Sequence, residues 1–258
     1  MAEVKRLAEN GFKEVVLTGI HVASYGKDRR DTSLLDILKQ VHEVEGIERI
    51  RFSSIEPNVV TEEFAQTMAA LPKVCDHFHL SLQSGCDKTL KEMNRKYDTE
   101  KYRQAAATLR KYLPKVALTT DIIVGFPGET EEDVTALCEF MQEVRFERLG
   151  CFAFSPEEGT PAAAMPEQIE EMELQLRRDI VMEEQTRITD AWMQAQIGKT
   201  LDVLVESFDR YAECWFGRSR ADAPEIDCKV FFVPGEGSPA PKPGDMVRVR
   251  ITDMLDWD

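Results

Sequence analysis

The stretch TDIIVGFPGETEEDV, from Thr120 to Val134, joins an apolar run, a Gly-Phe-Pro-Gly turn and an acidic segment that opens a helix. A strand that stops at glycines before a helix is a common way to build a ligand site. What the stretch lacks narrows the ligand. A GxxxxGK[ST] phosphate loop needs a lysine after its glycines, and none follows. A dinucleotide turn needs G-x-G-x-x-G, whereas here Gly125 is followed next by Gly128. Pro127 removes one N–H that could cradle an anion. Glu129, Glu131, Glu132 and Asp133 would repel a phosphate and suit the positive end of a helix. Thr130 with Asp133 is a capping-box variant that starts that helix. A flat, uncharged group such as an adenine ring fits better against Ile123, Val124 and Gly125, because glycine lets a ring approach the backbone.

Outward from this stretch, β-rich runs alternate with helical periodicity. The runs are Lys13–Ile20, Arg49–Ile55, His77–Gln83, Ala117–Gly125 and Arg148–Ser155. Between them, Leu34, Leu35, Leu38 and Val41 share one helical face, as do Val134, Leu137, Cys138 and Met141. Strands alternating with helices imply βαβ units and a parallel sheet. The opening AEVKRLAENGF reads as a helix with no strand before it, so the series lacks its first strand. EEGTPAAAMPEQ is an extended Pro/Ala-rich boundary. A long acidic helix follows, about Glu167–Gln196, with Ile169, Met172, Leu176 and Ile180 as its packing stripe. After Gly198 the texture becomes all-β, in short alternating strands joined by Gly/Pro/Asp turns, the signature of a small barrel. The expected domains are 1–166, an incomplete (β/α) barrel; 167–197, a connecting helix; and 198–258, a small antiparallel β-barrel.

The bulk numbers exclude several classes. The chain has 258 residues, 43% apolar and 31% charged, which is ordinary globular composition. No apolar run approaches the roughly 18–20 residues of a membrane span, so no membrane partner is expected. The charged start is not a secretory signal, and a cytoplasmic protein is expected. The net charge of −15 lowers the prospect of a nucleic-acid grip without excluding a local basic patch. It suits a basic protein partner. The six cysteines, Cys75, Cys86, Cys138, Cys151, Cys214 and Cys228, show no CxxC or CxxxCxxC spacing. Zinc ribbons, iron–sulfur loops and a disulfide framework are therefore not written here. His77 and His79 share a strand face without a third ligand in view, so no metal site is read from them.

In parallel α/β folds ligands bind at the carboxyl ends of the strands. Those ends carry mostly neutral hydrogen-bonders: Thr18, Gly19, His21, Ser24 and Tyr25; then Ser54, Glu56 and Asn58; then Ser81, Gln83 and Ser84. Such a set binds and orients, and it offers no catalytic acid–base pair. His21 is read as a pocket hydrogen-bonder.

Taken together, LTGIHVASYG, HLSLQSGCDKTLKEMNRKY, TDIIVGFPGETEED and FAFSPEEGTPA resemble the radical-SAM methylthiotransferases, and the C-terminal barrel resembles their TRAM domain. The resemblance covers nearly the whole chain. It implies a partial (β/α) radical-SAM barrel that binds S-adenosylmethionine and a [4Fe–4S] cluster, and transfer of a methylthio group to an unactivated C–H bond. It places Thr18, Gly19 and Ile20 near the methionine part of the cofactor, and Ser81 and Gln83 at its ribose or methionine end. Ile123, Val124 and Gly125 lie beside the adenine, closed by Ala153 and Phe154. Arg95 is placed to pair with the cofactor carboxylate or with substrate. The family's CxxxCxxC loop and N-terminal cluster domain are not in this sequence. No catalytic residue and no metal ligand is therefore assigned here, and the chain alone is expected to be inactive. LTGIHVASYGKD and LSLQSGCD look like enzymes that modify threonylcarbamoyl-adenosine beside the tRNA anticodon. EEGTPAAAMPEQI and GRSRADAPEIDCKVFF look like those that modify an aspartate of a small-subunit ribosomal protein. The expected partner is tRNA, with the basic ribosomal protein as the alternative. A non-catalytic SAM-binding or partner-binding fragment is the competing reading from another class.

Overall fold

The structure is a computed structural model that describes residues 1–20, 22–28, 31–235 and 237–255. His21 lies outside the described residues. The chain divides into two compact units, one of residues 1–53, 67–77 and 193–258, the other of residues 54–66 and 78–192.

The first unit opens with helix α1 (Ala2–Glu9), strand β1 (Glu14–Leu17), helix α2 (Leu34–His42) and strand β2 (Arg49–Phe52). β1 and β2 pair in parallel, with Val15 opposite Ile50. Ser33 caps α2 by accepting the Asp36 N–H. The face predicted for α2 is the buried one at Leu34, Leu38 and Val41. After α3 (Glu62–Ala70), which runs from one unit into the other, and the segments of the second unit, the chain returns to the first for four antiparallel strands. These are β6 (Thr200–Asp209), β7 (Cys214–Arg218), β8 (Val230–Phe232) and β9 (Met246–Arg250), in the order β8-β7-β6-β9. A bulge between Val205 and Ser207 bends β6, the usual way such a sheet curls.

The RIRF run of β2 is buried on both faces. Arg49 is fully buried, and donates to the carbonyls of Arg218 at 2.8 Å, Ser219 at 3.2 Å and Asp202 at 2.8 Å. Arg51 donates to Glu14 at 2.8 Å and to the carbonyls of Arg220 and Ser219, each at 3.0 Å. Arg218 reaches the same Glu14 carboxylate at 2.9 Å. The guanidinium groups thus donate to main-chain carbonyls, and the Glu14 carboxylate accepts from two of them and balances their charge.

The second unit carries β3 (His77–His79, entered from the first unit at His77), α4 (Asp87–Glu92), α5 (Thr99–Tyr112), β4 (Ala117–Val124), α6 (Glu131–Val144), β5 (Arg148–Ala153) and α7 (Glu171–Gln194). The sheet order is β3-β4-β5, with β4 and β5 parallel. Tyr102 sits edge-on to Phe140 and Phe146 at 5.8 Å each, and donates its hydroxyl to the Leu80 carbonyl at 2.7 Å. The parallel strands that alternate with helices, followed by a curled antiparallel sheet, are the fold class expected from the sequence.

One packing expectation is corrected. Met172, Leu176 and Ile180 of α7 are exposed, at 87%, 55% and 44%. The buried face is Leu174, Arg177, Val181, Gln185, Ile188 and Thr189. That face includes polar side chains because each has a buried partner. Gln185 donates to the Phe146 carbonyl at 2.9 Å, and Thr189 to the Glu147 carbonyl at 3.1 Å. No helix among the described residues is long and apolar enough to cross a membrane.

Candidate functional site

The site is built around the end of β4. Successive strand residues face opposite ways, and burial along β4 follows that rule. Ile122 and Val124 are fully buried, while Asp121 and Ile123 are half-buried on the other face. Of the three residues predicted to flank the adenine, Ile123 therefore offers its side chain. Val124 offers main chain only, and its carbonyl accepts the Phe154 N–H at 2.9 Å.

Gly125 and Gly128 both adopt positive φ, +75° and +81°, which favours glycine. The turn they form is already closed by an anion of its own. Glu129 is 7% exposed, and its carboxylate accepts the Gly125 N–H at 2.7 Å. Arg177 of α7 donates to that carboxylate at 3.1 Å and to the Glu129 carbonyl at 2.9 Å. Glu173 holds Arg177 from the other side at 2.7 Å. Burial pushes the Glu129 carboxyl above the usual carboxylate range, against the pull of the Gly125 N–H and Arg177. This refines the sequence reading. Glu129 does not serve the helix end; it accepts the N–H of the glycine turn. The helix start is served by Glu131, Glu132 and Asp133, with the Thr130–Asp133 capping box formed as expected.

The space beside Gly125 is also taken. A Cβ there would lie 1.8 Å from Leu174 Cδ2. Leu174 in turn lines a cavity of about 520 Å³ with Ala153, Phe154, Ser155, Pro156, Ala163, Gln168, Ile169 and Glu171. That volume lies in the ordinary range of small-molecule sites, and its walls are mostly apolar with Ser155, Gln168 and the acidic Glu171 among them. Phe154 packs edge-on against Phe126 at 5.4 Å.

The predicted residues are distributed as follows. Ala153 and Phe154 line this cavity, while Ile123, Val124 and Gly125 form the adjoining strand end. Ser81 is buried, and Gln83 holds φ +73° and bridges in parallel to Ile122. Arg95 lines a different cavity of the second unit, of about 570 Å³. Thr18, Gly19 and Ile20 belong to the first unit and are exposed there.

Several residues at or near the site escaped the sequence reading. Arg177 and Leu174 sit on the face of α7 that was assigned to solvent. Asp121 stands 3.5 Å from His79, whose other ring nitrogen is 3.2 Å from the Thr119 hydroxyl. Within the first unit, away from this site in sequence, His77 meets Asp227 at 3.4 Å. The signal for Glu129 was present, as the last residue of GFPGE, but its partner lies 48 residues along the chain. Among the described residues no three His, Cys, Asp or Glu side chains are grouped as metal ligands. The six cysteines are dispersed, so iron–sulfur ligation is not assigned to them.

Comparison with known proteins agrees with this architecture. The Radical SAM superfamily model matches residues 1–141, and the TRAM domain model matches residues 197–258. The tRNA-2-methylthio-N(6)-dimethylallyladenosine synthase of Acetivibrio thermocellus is 39% identical over 259 residues, which is 100% of this chain and 52% of that protein. The ribosomal protein uS12 methylthiotransferase RimO of Desulfitobacterium hafniense is 42% identical over 260 residues, 100% of this chain and 57% of that protein. The chain thus spans about half the length of the curated relatives it matches. Among solved structures, methylornithine synthase aligns with a TM-score of 0.50 at 16% identity, over 72% of this chain and 53% of that one. Coproporphyrinogen III oxidase from Escherichia coli aligns with a TM-score of 0.50 at 13% identity, over 75% and 44%. At such identities the likeness shows the fold alone. With its parallel strands and helices, its strand-end turn and its C-terminal antiparallel sheet, the chain belongs to the radical SAM superfamily and carries a TRAM domain.

Proposed function

We propose that this chain is the S-adenosylmethionine-binding core and TRAM domain of a methylthiotransferase that acts on tRNA, at threonylcarbamoyl-adenosine beside the anticodon. The observation that carries the cofactor reading is the Gly125 turn closed by Glu129. With its N–H donor spent on an internal carboxylate, the turn rejects phosphate and leaves a neutral floor for an adenine ring. Ile123, Ala153 and Phe154 are the residues that would hold the ring. Ser81 and Gln83 would meet the ribose or methionine end, and Arg95 would pair with the cofactor carboxylate or with substrate. When bound, S-adenosylmethionine supplies the carbon–sulfur bond whose cleavage initiates hydrogen abstraction. The work of these residues is to bind and orient: the apolar ones exclude water from the ring, and the hydroxyl and amide groups fix its register. The described cysteines, dispersed and without a third nearby ligand, do not fit an iron–sulfur cluster. The domain division 1–166, 167–197 and 198–258 belongs to this reading, as does a cytoplasmic location.

The tRNA substrate is supported by the core segments LTGIHVASYGKD and LSLQSGCD. The second reading, an aspartate of a small-subunit ribosomal protein, is favoured by the acidic C-terminal segment. From Gly198 to Asp258 it holds 12 acids against 8 bases. Calorimetric titration of the chain with S-adenosylmethionine and, separately, with ATP tests the cofactor reading. Binding of the first without the second is expected, and ATP binding of equal strength would sink it. Crosslinking of the chain to tRNA and to the ribosomal protein separates the substrates. Salt-dependent tRNA capture is expected, and capture of the protein alone would reverse the choice.

A further inference from the structure

An acid-rich chain, with 47 acids to 32 lysines and arginines, offers most cations a nearby carboxylate. Four cations without an ion pair border one cavity. Lys91, Arg95, Lys96 and Lys101 line the cavity of about 570 Å³ in the second unit, together with Asn58, Asp87, Tyr97 and Asp98. Among the described residues none of the four is within ion-pair distance of an acid. Two carboxylates do share the wall, but each is turned to main chain. Asp87 accepts the Thr99 N–H at 2.8 Å, and Asp98 caps α5 by accepting the Lys101 N–H at 2.8 Å.

The frame that holds these cations is ordered. α4 ends in a left-handed Asn94 at φ +60°, with Arg95 N–H donating to the Leu90 carbonyl and Asn94 N–H to that of Lys91. That pattern is a Schellman stop, and it turns the chain so that Arg95 and Lys96 leave the helix toward the cavity. Asn58 donates to the Lys96 carbonyl at 3.0 Å. Tyr97 is buried and donates to the Leu82 carbonyl at 3.3 Å. Arg95 Nε is itself buried with no hydrogen-bond partner. An open cavity with twice as many cations as carboxylates, and an unused donor in its wall, favours an anion.

We propose that this cavity seats phosphodiester groups of the RNA strand that carries the target nucleoside, with Lys91, Lys96 and Lys101 as its phosphate contacts. The proposal rests on the tRNA reading above and gives it a place on the molecule. Lysines suit this task because their compact charge on a flexible stem follows a backbone without demanding one geometry. A basic protein segment would be repelled from the same walls.

The test is fluorescence anisotropy of a labelled anticodon stem-loop with the full chain over a range of salt. It compares the wild type, the triple variant K91A/K96A/K101A and a charge-matched control, K5A/K39A/K111A. Arg95 is left in place because it is assigned to the cofactor. The triple variant is expected to bind about tenfold more weakly at physiological salt, and its log K against log salt slope to fall by about 1–2 relative to the control. Thermal melting checks that both variants fold. RNA binding with the same slope in the triple variant and the control overturns the cavity and leaves the tRNA reading intact. Absence of RNA binding by the wild type overturns the tRNA reading and the RNA source together. Inorganic phosphate bound through the same lysines, with no RNA bound, assigns the cavity to a free phosphate and overturns the proposal.

Discussion

In the first unit Arg49 and Arg51 spend most of their guanidinium donors on main-chain carbonyls of the C-terminal sheet. In the second, Arg177 divides its donors between two carboxylates and one carbonyl. All three arginines are buried, and burial of a guanidinium is unfavourable unless most of its donors find acceptors. The difference lies in what each arrangement achieves. The first ties strand ends together, since sheet carbonyls that lack a ladder partner need donors from somewhere. The second neutralises Glu129 so that an acid can sit inside a glycine turn and hold its N–H. One joins strand ends; the other holds a glycine turn closed.

Three substitutions sharpen or break this comparison. Arg49→Ala has the largest expected effect. It removes the arginine donor of the Arg218 and Asp202 carbonyls, leaves Ser219 to Arg51 alone, and should cost about 4 kcal/mol in urea unfolding. Arg49→Lys should recover only part, because one ammonium cannot fork across three carbonyls. A loss below about 1 kcal/mol would show that the carbonyls find water instead, and the structural role would fall.

Gly125→Ala comes next, at about 3 kcal/mol, because its Cβ would strike Leu174 Cδ2 and its φ is left-handed. Combined with Leu174→Ala, the two costs should fail to add by at least about 1 kcal/mol, since the clash disappears and the backbone cost remains. Full additivity would mean that the side chain at Leu174 does not press on the turn. The smallest effects concern α7. Leu174→Ala should cost about 2 kcal/mol, and Leu176→Ala should stay within about 0.5 kcal/mol by thermal melting. The reverse order would restore the face first read from the sequence.

The element order was legible because alternation and helical periodicity are local signals. RIRF reads as a strand from its spacing, yet nothing in the spacing reveals that its arginine face is buried, since the acceptors are carbonyls 153 to 170 residues away. The α7 stripe was misread for a related reason. Met172, Leu176 and Ile180 are apolar at helical spacing, whereas the face that packs contains Arg177 and Gln185, which look solvent-bound until their partners are known. At the site, the glycine positions and the acids after them came from the sequence, while the closure of Glu129 on Gly125 and its pairing with Arg177 did not.

By itself the sequence determined that strands and helices alternate, that an antiparallel region follows, and that a glycine turn without lysine ends the strand at Val124. Periodicity, turn chemistry and missing residues are properties of neighbours in the chain, so they survive without coordinates. Only the tertiary structure decided that Glu129 fills the turn, that Leu174 closes on Gly125, and that four cations without acidic partners share one cavity. Those facts depend on which distant groups meet, because a buried charge is stable only beside the partner that folding brings to it.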